Sequence, residues 1–152
     1  MFEEKSLFYF NPFYFKDGTK CKPKYFIVLK DLGDKSIVAT LPSGQNYVPF
    51  PDKNLKAGCI DLPELSFKCF CFLKDTPATH TDYCFPKDTF IYGRWVEDYS
   101  LEILSLTYAV ENVDYVKCGK INDDIFDEML RCLKDSSQIK RKYKKLIEEW
   151  LR

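Results

Sequence analysis

Hydrophobic residues come in short, dense runs up to about residue 121 and at helical spacing after it. Leu7 to Phe15 is aromatic and stops at Lys16-Asp17-Gly18-Thr19, where Asp-Gly signals a turn. Tyr25-Phe26-Ile27-Val28-Leu29 is continuously apolar and rich in strand formers. Asp31-Leu32-Gly33-Asp34 interrupts the pattern, and Ser36-Ile37-Val38-Ala39-Thr40-Leu41 resumes it. Two such runs about a short glycine-containing loop predict a β-hairpin. The polar cluster Pro42-Ser43-Gly44-Gln45-Asn46 then leaves the second strand. Cys59 to Leu62, Ser66 to Leu73 and Thr89 to Trp95 are three further strand candidates, and Lys74 to Lys87, with Thr, Pro and Asp throughout, is expected to be a surface loop. Tyr99 to Ala109 fits a buried helix or a strand equally well through Leu101, Ile103, Leu104 and Leu106.

From Asn122 the period changes. Asn122 is a candidate cap for a helix whose first turn holds Asp123 and Asp124, where carboxylates favour the positive dipole end. Ile125, Phe126, Met129, Leu130 and Leu133 then recur on one helical face. A second helix is expected from Ser136 or Ser137, with Ile139, Tyr143, Leu146, Ile147, Trp150 and Leu151 as its apolar stripe. The pattern predicts one α+β domain of five or six antiparallel strands over about 7–121 and helices over about 123–134 and 137–151. A length of 152 residues suits a single core.

Charge and cysteines narrow the function classes. Twenty-three cations balance 23 carboxylates, which excludes a nucleic-acid coat on net charge alone. The balance is uneven: Gln138 to Arg152 carries six cations against Glu148 and Glu149, so this tail is +4 and the remainder −4. The seven cysteines lack paired CxxC spacing and His80 is the single histidine, so reduced, metal-free thiols and no cofactor are expected. Cys69 and Cys71, two apart, point to one face of a strand. No secretory signal pattern opens the sequence and no apolar run approaches the ~20 residues of a membrane span, so a cytoplasmic protein with no membrane partner is expected. GxGxxG, GxxxxGK[ST], HExxH and GxSxG are all absent. His80, in Thr79-His80-Thr81 on the presumed loop, reads as a solvated side chain or as a general base. Lys140 to Lys145 with Tyr143 reads as the solvated face of an amphipathic helix, as an RNA-contacting helix or as a partner-binding one.

The remaining chemistry lies at the ends of the predicted hairpin. Lys22-Pro23-Lys24 opens its first strand and Leu41-Pro42-Ser43-Gly44-Gln45 closes its second. A cation and a hydroxyl meeting at one sheet end could hold a phosphate, since the ammonium stabilises developing negative charge and the hydroxyl donates to an oxygen. Ordinary turns with solvated lysines give the same pattern.

The succession of Asp17-Gly18, Lys22-Pro23 before an apolar strand, and a second strand ending in Leu41-Pro42-Ser43 resembles the MazF/PemK toxins. There, a Gly-rich loop, an Arg-Pro, an apolar strand and a strand ending in a Thr/Ser-rich turn follow in that order. Tyr115 to Asp124, leading into the apolar helix Ile125 to Leu133, is similar to the strand and acidic capped helix that close the family's barrel. The resemblance reaches about Lys134. It implies a small SH3-like antiparallel β-barrel, a homodimer, an antitoxin as inhibitor, and metal-independent cleavage of single-stranded RNA. The family's arginine falls on Lys22, which keeps the charge without the bidentate fork, and its Thr/Ser falls on Ser43. Lys20, Lys24, Gln45 and Arg94 are the accompanying substrate-binding candidates, Arg94 being the one arginine before the helices. The alternative is a non-catalytic barrel that binds a protein or nucleic acid through the same groove.

Overall fold

The computed structural model describes residues 2–14, 20–21, 23–42 and 56–151, with only the backbone described at residues 20, 21 and 42. In chain order the elements are β1 (Ser6–Phe10), β2 (Phe13–Tyr14), β3 (Lys20–Cys21), β4 (Lys24–Asp31), β5 (Lys35–Pro42), β6 (Gly58–Leu62), the 3-10 turn η1 (Pro63–Leu65), β7 (Phe67–Phe72), β8 (Thr89–Tyr92), the 3-10 turn η2 (Gly93–Trp95), β9 (Val96–Ser100), α1 (Leu101–Thr107), β10 (Tyr115–Lys120), α2 (Asp123–Lys134) and α3 (Arg141–Trp150). The fold is α+β with antiparallel sheets. One has five strands in the order β10-β1-β4-β5-β9, another has three in the order β6-β7-β8, and β2 pairs with β3.

The predicted hairpin is the centre of the five-stranded sheet. β4 and β5 pair from Lys24↔Pro42 to Asp31↔Ser36 about a turn in which Gly33 holds φ +94° and its N–H donates to Asp31 Oδ1 at 2.9 Å. The positive φ suits glycine. The apolar runs are continuous because both faces of this sheet are covered, so each strand has no outward side to keep polar. Along β4, Tyr25, Ile27 and Leu29 enter one core cluster while Phe26 and Val28 enter another. The first cluster lies between this sheet, β7, β8 and the helices, with Phe70, Phe72, Ile91, Met129, Leu133 and Ile147 all buried. The second holds Phe2, Phe8, Phe10, Phe13, Phe26, Tyr108 and Tyr115, with Leu104 of α1.

Several expectations need correction. Tyr99 to Ala109 divides: Tyr99 ends in β9, and Ser100, whose side chain accepts from the Ile103 N–H, starts α1. The segment 74–87 is no simple surface loop, because Ala78, Thr79 and Phe85 are buried and Thr79 bridges Ile121. α2 starts where expected, but Asn122 makes no side-chain cap; its N–H donates to the Ala78 carbonyl instead. The last helix begins at Arg141, because Ser136 turns the chain through its hydroxyl, which accepts from the Gln138 N–H. The expectation of seven free thiols fails at one pair. Cys59 of β6 and Cys132 of α2 form a disulfide, brought to a Cα separation of 5.6 Å across 73 residues of sequence by the packing of α2 on β6. Cys69, Cys71, Cys84 and Cys118 are free, and Cys69 and Cys71 share the outer face of β7 with Phe90 and Tyr92.

Candidate functional site

The register of the hairpin decides which candidate residues lie together. Lys24, the first residue of β4, and Pro42, the last of β5, are cross-strand partners, so the strand start and the strand end meet at one edge of the sheet. β9 pairs with β5 only as far as Ala39↔Val96, and η2 packs against β5 beyond that point. Arg94 therefore sits on the turn beside the same end of β5. Gly93 allows this seating: a Cβ there would come within 2.8 Å of Ser136 Oγ and 3.0 Å of the Ile139 nitrogen.

Of the six candidates, Lys24 and Arg94 have described side chains at this end. The Lys24 ammonium lies 5.9 Å from the centre of the Phe13 ring. The exposed Arg94 guanidinium lies 4.9 Å from the Trp95 ring centre and 5.2 Å from that of Tyr92, and the two rings meet edge to face at 4.9 Å. Such stacking is worth about 0.5–1 kcal/mol at an exposed site. Lys20 is placed through its backbone, which pairs with Tyr14 in the β2–β3 ribbon. Lys22, Ser43 and Gln45 lie outside the described residues.

Next to this edge lies a feature that none of the sequence candidates includes. One register step inside Lys24 and Pro42, a row of cross-strand partners runs Val116, Tyr9, Tyr25, Leu41 across four strands. Tyr9, Tyr25 and Val116 from this row join Tyr83, Pro86 and Cys118 around a pocket of about 300 Å³. Tyr25 is its floor, 3% exposed, with its ring centre 5.0 Å from that of Tyr9 and 6.2 Å from that of Tyr83. The Tyr25 and Tyr83 hydroxyls are hydrogen-bonded at 2.5 Å. Tyr83 is held there by its N–H, which donates to the buried Thr79 hydroxyl at 3.0 Å. Burial pushes the Tyr25 and Tyr83 phenols up from their ordinary range, and it pushes the Cys118 thiol up to about 11. All three are neutral at physiological pH. No local signal in the sequence sets Tyr9, Tyr25 and Tyr83 apart from the other aromatic residues.

The two remaining candidates are more ordinary. His80 is an exposed loop residue whose Nε2 lies 3.7 Å from Asp123 Oδ1. On α3, Tyr143 and Ile147 are buried while Lys140, Arg141, Lys142, Lys144 and Lys145 are exposed, and the Tyr143 hydroxyl donates to Asp98 Oδ2 at 2.8 Å. Among the described residues no helix is long and apolar enough to cross a membrane. No known protein family, curated protein or solved structure matches the chain.

Proposed function

We propose that the chain is a MazF/PemK-like toxin: a metal-independent, cofactor-free endoribonuclease that cleaves single-stranded RNA, acts as a homodimer in the cytoplasm and is inhibited by an antitoxin. The observation that carries this reading is the Lys24↔Pro42 pairing. The two short motifs on which the resemblance rests flank strands that start and stop at one edge of one sheet, with Arg94 on the turn beside it. The strands then correspond to a half-open SH3-like barrel, supported by the packing of β5 on β8 and by the passage of the chain from one sheet to the other through η2.

In this reading the 2′-oxygen of one nucleotide attacks the adjacent phosphorus. Its P–O bond forms as the bond to the 5′-oxygen breaks, the 2′-hydroxyl loses a proton and the leaving 5′-oxygen gains one. Lys22 stabilises the pentacovalent phosphate and Ser43 positions it, while Lys20, Lys24, Gln45 and Arg94 hold the strand. Charge placed where negative charge develops is worth more than charge that merely binds.

The test is cleavage of single-stranded RNA by purified protein, with growth of an expressing host in parallel. Lys22→Ala is expected to abolish both cleavage and toxicity with little change in Tm, and Lys22→Arg to preserve or raise the rate by restoring the fork. Ser43→Ala is expected to slow cleavage by at most about 2–4 kcal/mol, the usual cost of one lost transition-state donor. Cleavage should persist in EDTA. No cleavage at any salt concentration and no toxicity would turn the reading to a non-catalytic binding module, which the zero net charge favours. The Cys59–Cys132 bridge and a reducing cytoplasm pull in opposite directions. Alkylation and mass spectrometry of protein taken directly from cells decide between them.

A further inference from the structure

The Cys59–Cys132 bridge joins two unlike environments. Cys59 is exposed on β6, the outer strand of the three-stranded sheet, whereas Cys132 on α2 is 4% exposed. An attacking thiolate therefore reaches the bridge at Cys59 and not at Cys132. The buried partner is provided for in either state. The Cys69 carbonyl lies 3.4 Å from Cys132 Sγ. A bridged sulfur has no proton to give, but the reduced thiol gains one and finds that acceptor already in place. Cys69 and Cys71 do not compete for the sulfurs, because their side chains lie on the other face of β7 and burial keeps both thiols protonated. An exposed bridge whose reduction leaves its buried thiol with a partner is suited to opening and closing.

The bridge also has something to move. α2 ends at Lys134, and the turn after it meets two other elements. Ser137 Oγ donates to the Ser66 carbonyl at 3.2 Å, just before β7. Ser136 Oγ and the Ile139 nitrogen lie so close to Gly93 that a Cβ there would come within 2.8 and 3.0 Å of them. Gly93 opens η2, the turn that carries Arg94 and Trp95. Cys132 stands four residues before Ser136. The end of α2 is thus fixed to β6 at one edge of the three-stranded sheet, and the turn after it presses on the segment leaving β8 at the other. Packing this close transmits a shift of α2 instead of absorbing it.

We propose that Cys59–Cys132 is a reversible thiol–disulfide switch: closed, it clamps the end of α2 against η2; opened by a thiol reductant, it loosens the turn that carries Arg94. A thiolate of the reductant attacks Cys59 Sγ, the bond to Cys132 breaks, and Cys132 leaves with the electron pair and takes up a proton. A second reductant thiol then attacks its partner sulfur in the mixed disulfide and frees Cys59, which is protonated in turn. The protein gains two electrons and two protons, and the two reductant thiols become a disulfide. The switch stands independently of the RNA reading, and its open form is the one a reducing compartment would hold.

The experiment takes the full chain carrying Trp150→Phe, which leaves Trp95 of η2 as the one tryptophan, and equilibrates it in glutathione buffers of increasing oxidised fraction. Differential alkylation with mass spectrometry follows each cysteine, and far-ultraviolet circular dichroism follows the fold in the same samples. Cys59 and Cys132 are expected to become alkylatable together on reduction and protected together on reoxidation. Trp95 emission should shift to the red in the reduced form, and acrylamide should quench it more strongly, with the dichroism unchanged. Cys59→Ser, which cannot form the bridge, should give the reduced-form spectrum in every buffer. In Cys132→Ser the exposed Cys59 should take up glutathione, whereas in Cys59→Ser the buried Cys132 should not. A bridge that does not re-form, or Trp95 emission that is the same in both states, would overturn the inference. So would a reduced chain that has lost its fold, since the bridge is then a structural staple, and so would glutathione uptake at Cys132 in preference to Cys59.

Discussion

The five-stranded sheet is covered on both faces, but by different means. One face meets a second sheet and two helices, and its cluster mixes Leu, Ile, Val, Met and Cys with rings. The other face, among the described residues, meets only short elements. The seven-residue α1, the short β2 and Phe2 near the N-terminus contribute to it, and seven of its ten buried members are aromatic. The rings touch one another repeatedly: Phe10 lies 4.4 Å from Tyr108, 5.3 Å from Phe26 and 5.8 Å from Phe13, centre to centre. A ring buries roughly 150–250 Å², so a layer of rings excludes water beneath elements too short to cover the face alone. The lesson is that side-chain size can substitute for an architectural layer. A ring-built layer should therefore depend more on single residues than one made of helices.

The largest expected effect follows directly. Phe26→Ala, at the centre of the ring layer with 0% exposure, should cost about 3–5 kcal/mol in urea denaturation. The helix side has its own vulnerable point in the Cys59–Cys132 bridge. Reducing it, or making Cys59→Ser, should cost about 2–4 kcal/mol and leave the ring face packed, as near-ultraviolet circular dichroism of the aromatic residues would report.

Alkaline pH separates the regions more finely. Burial holds the Cys69 and Cys71 thiols up at about 12 and Cys118 at about 11, all outside the ring layer. Below the ordinary thiol pKa of about 8.5, both folded and unfolded chains keep these protons and stability is flat. Above it the unfolded chain releases protons that the native state retains, so stability falls as pH rises toward 11–12, by up to about 1.4 kcal/mol per pH unit per group. Cys118→Ala should shallow that slope, and Phe26→Ala should leave it unchanged. The smallest effect is expected from Ile27→Val, next to Phe26 but on the helix side, at about 0.5–1.5 kcal/mol. If Ile27→Val costs as much as Phe26→Ala, the contrast between the two faces is wrong.

The hairpin and α2 were legible because each has a local cause: apolar runs about a glycine turn, and a 3.6-residue stripe behind two acidic residues. β1 and the segment before it were legible only as an aromatic stretch. The pairing of β1 with β10, Ser6↔Lys120 to Phe10↔Tyr115, joins distant parts of the sequence, and no local period reports that. The disulfide was illegible for the same reason, since nothing in the spacing of Cys59 and Cys132 announces that α2 will cross β6. The candidate site was half legible. Strand start and strand end did meet, as Lys24↔Pro42, whereas the tyrosine pocket needed Tyr83, delivered by a segment expected to be surface loop.

The bridge between Cys59 and Cys132 also sets how the molecule would respond to force. The two cysteines, 73 positions apart, close a covalent ring that holds most of the three-stranded sheet, β9, α1, β10 and most of α2. Pulled from two anchors outside that ring, the oxidised chain pays out no length from within it, whereas the reduced chain releases about 250 Å more at ~3.5 Å per residue. A single-molecule extension trace would therefore read the state of one sulfur–sulfur bond as a length.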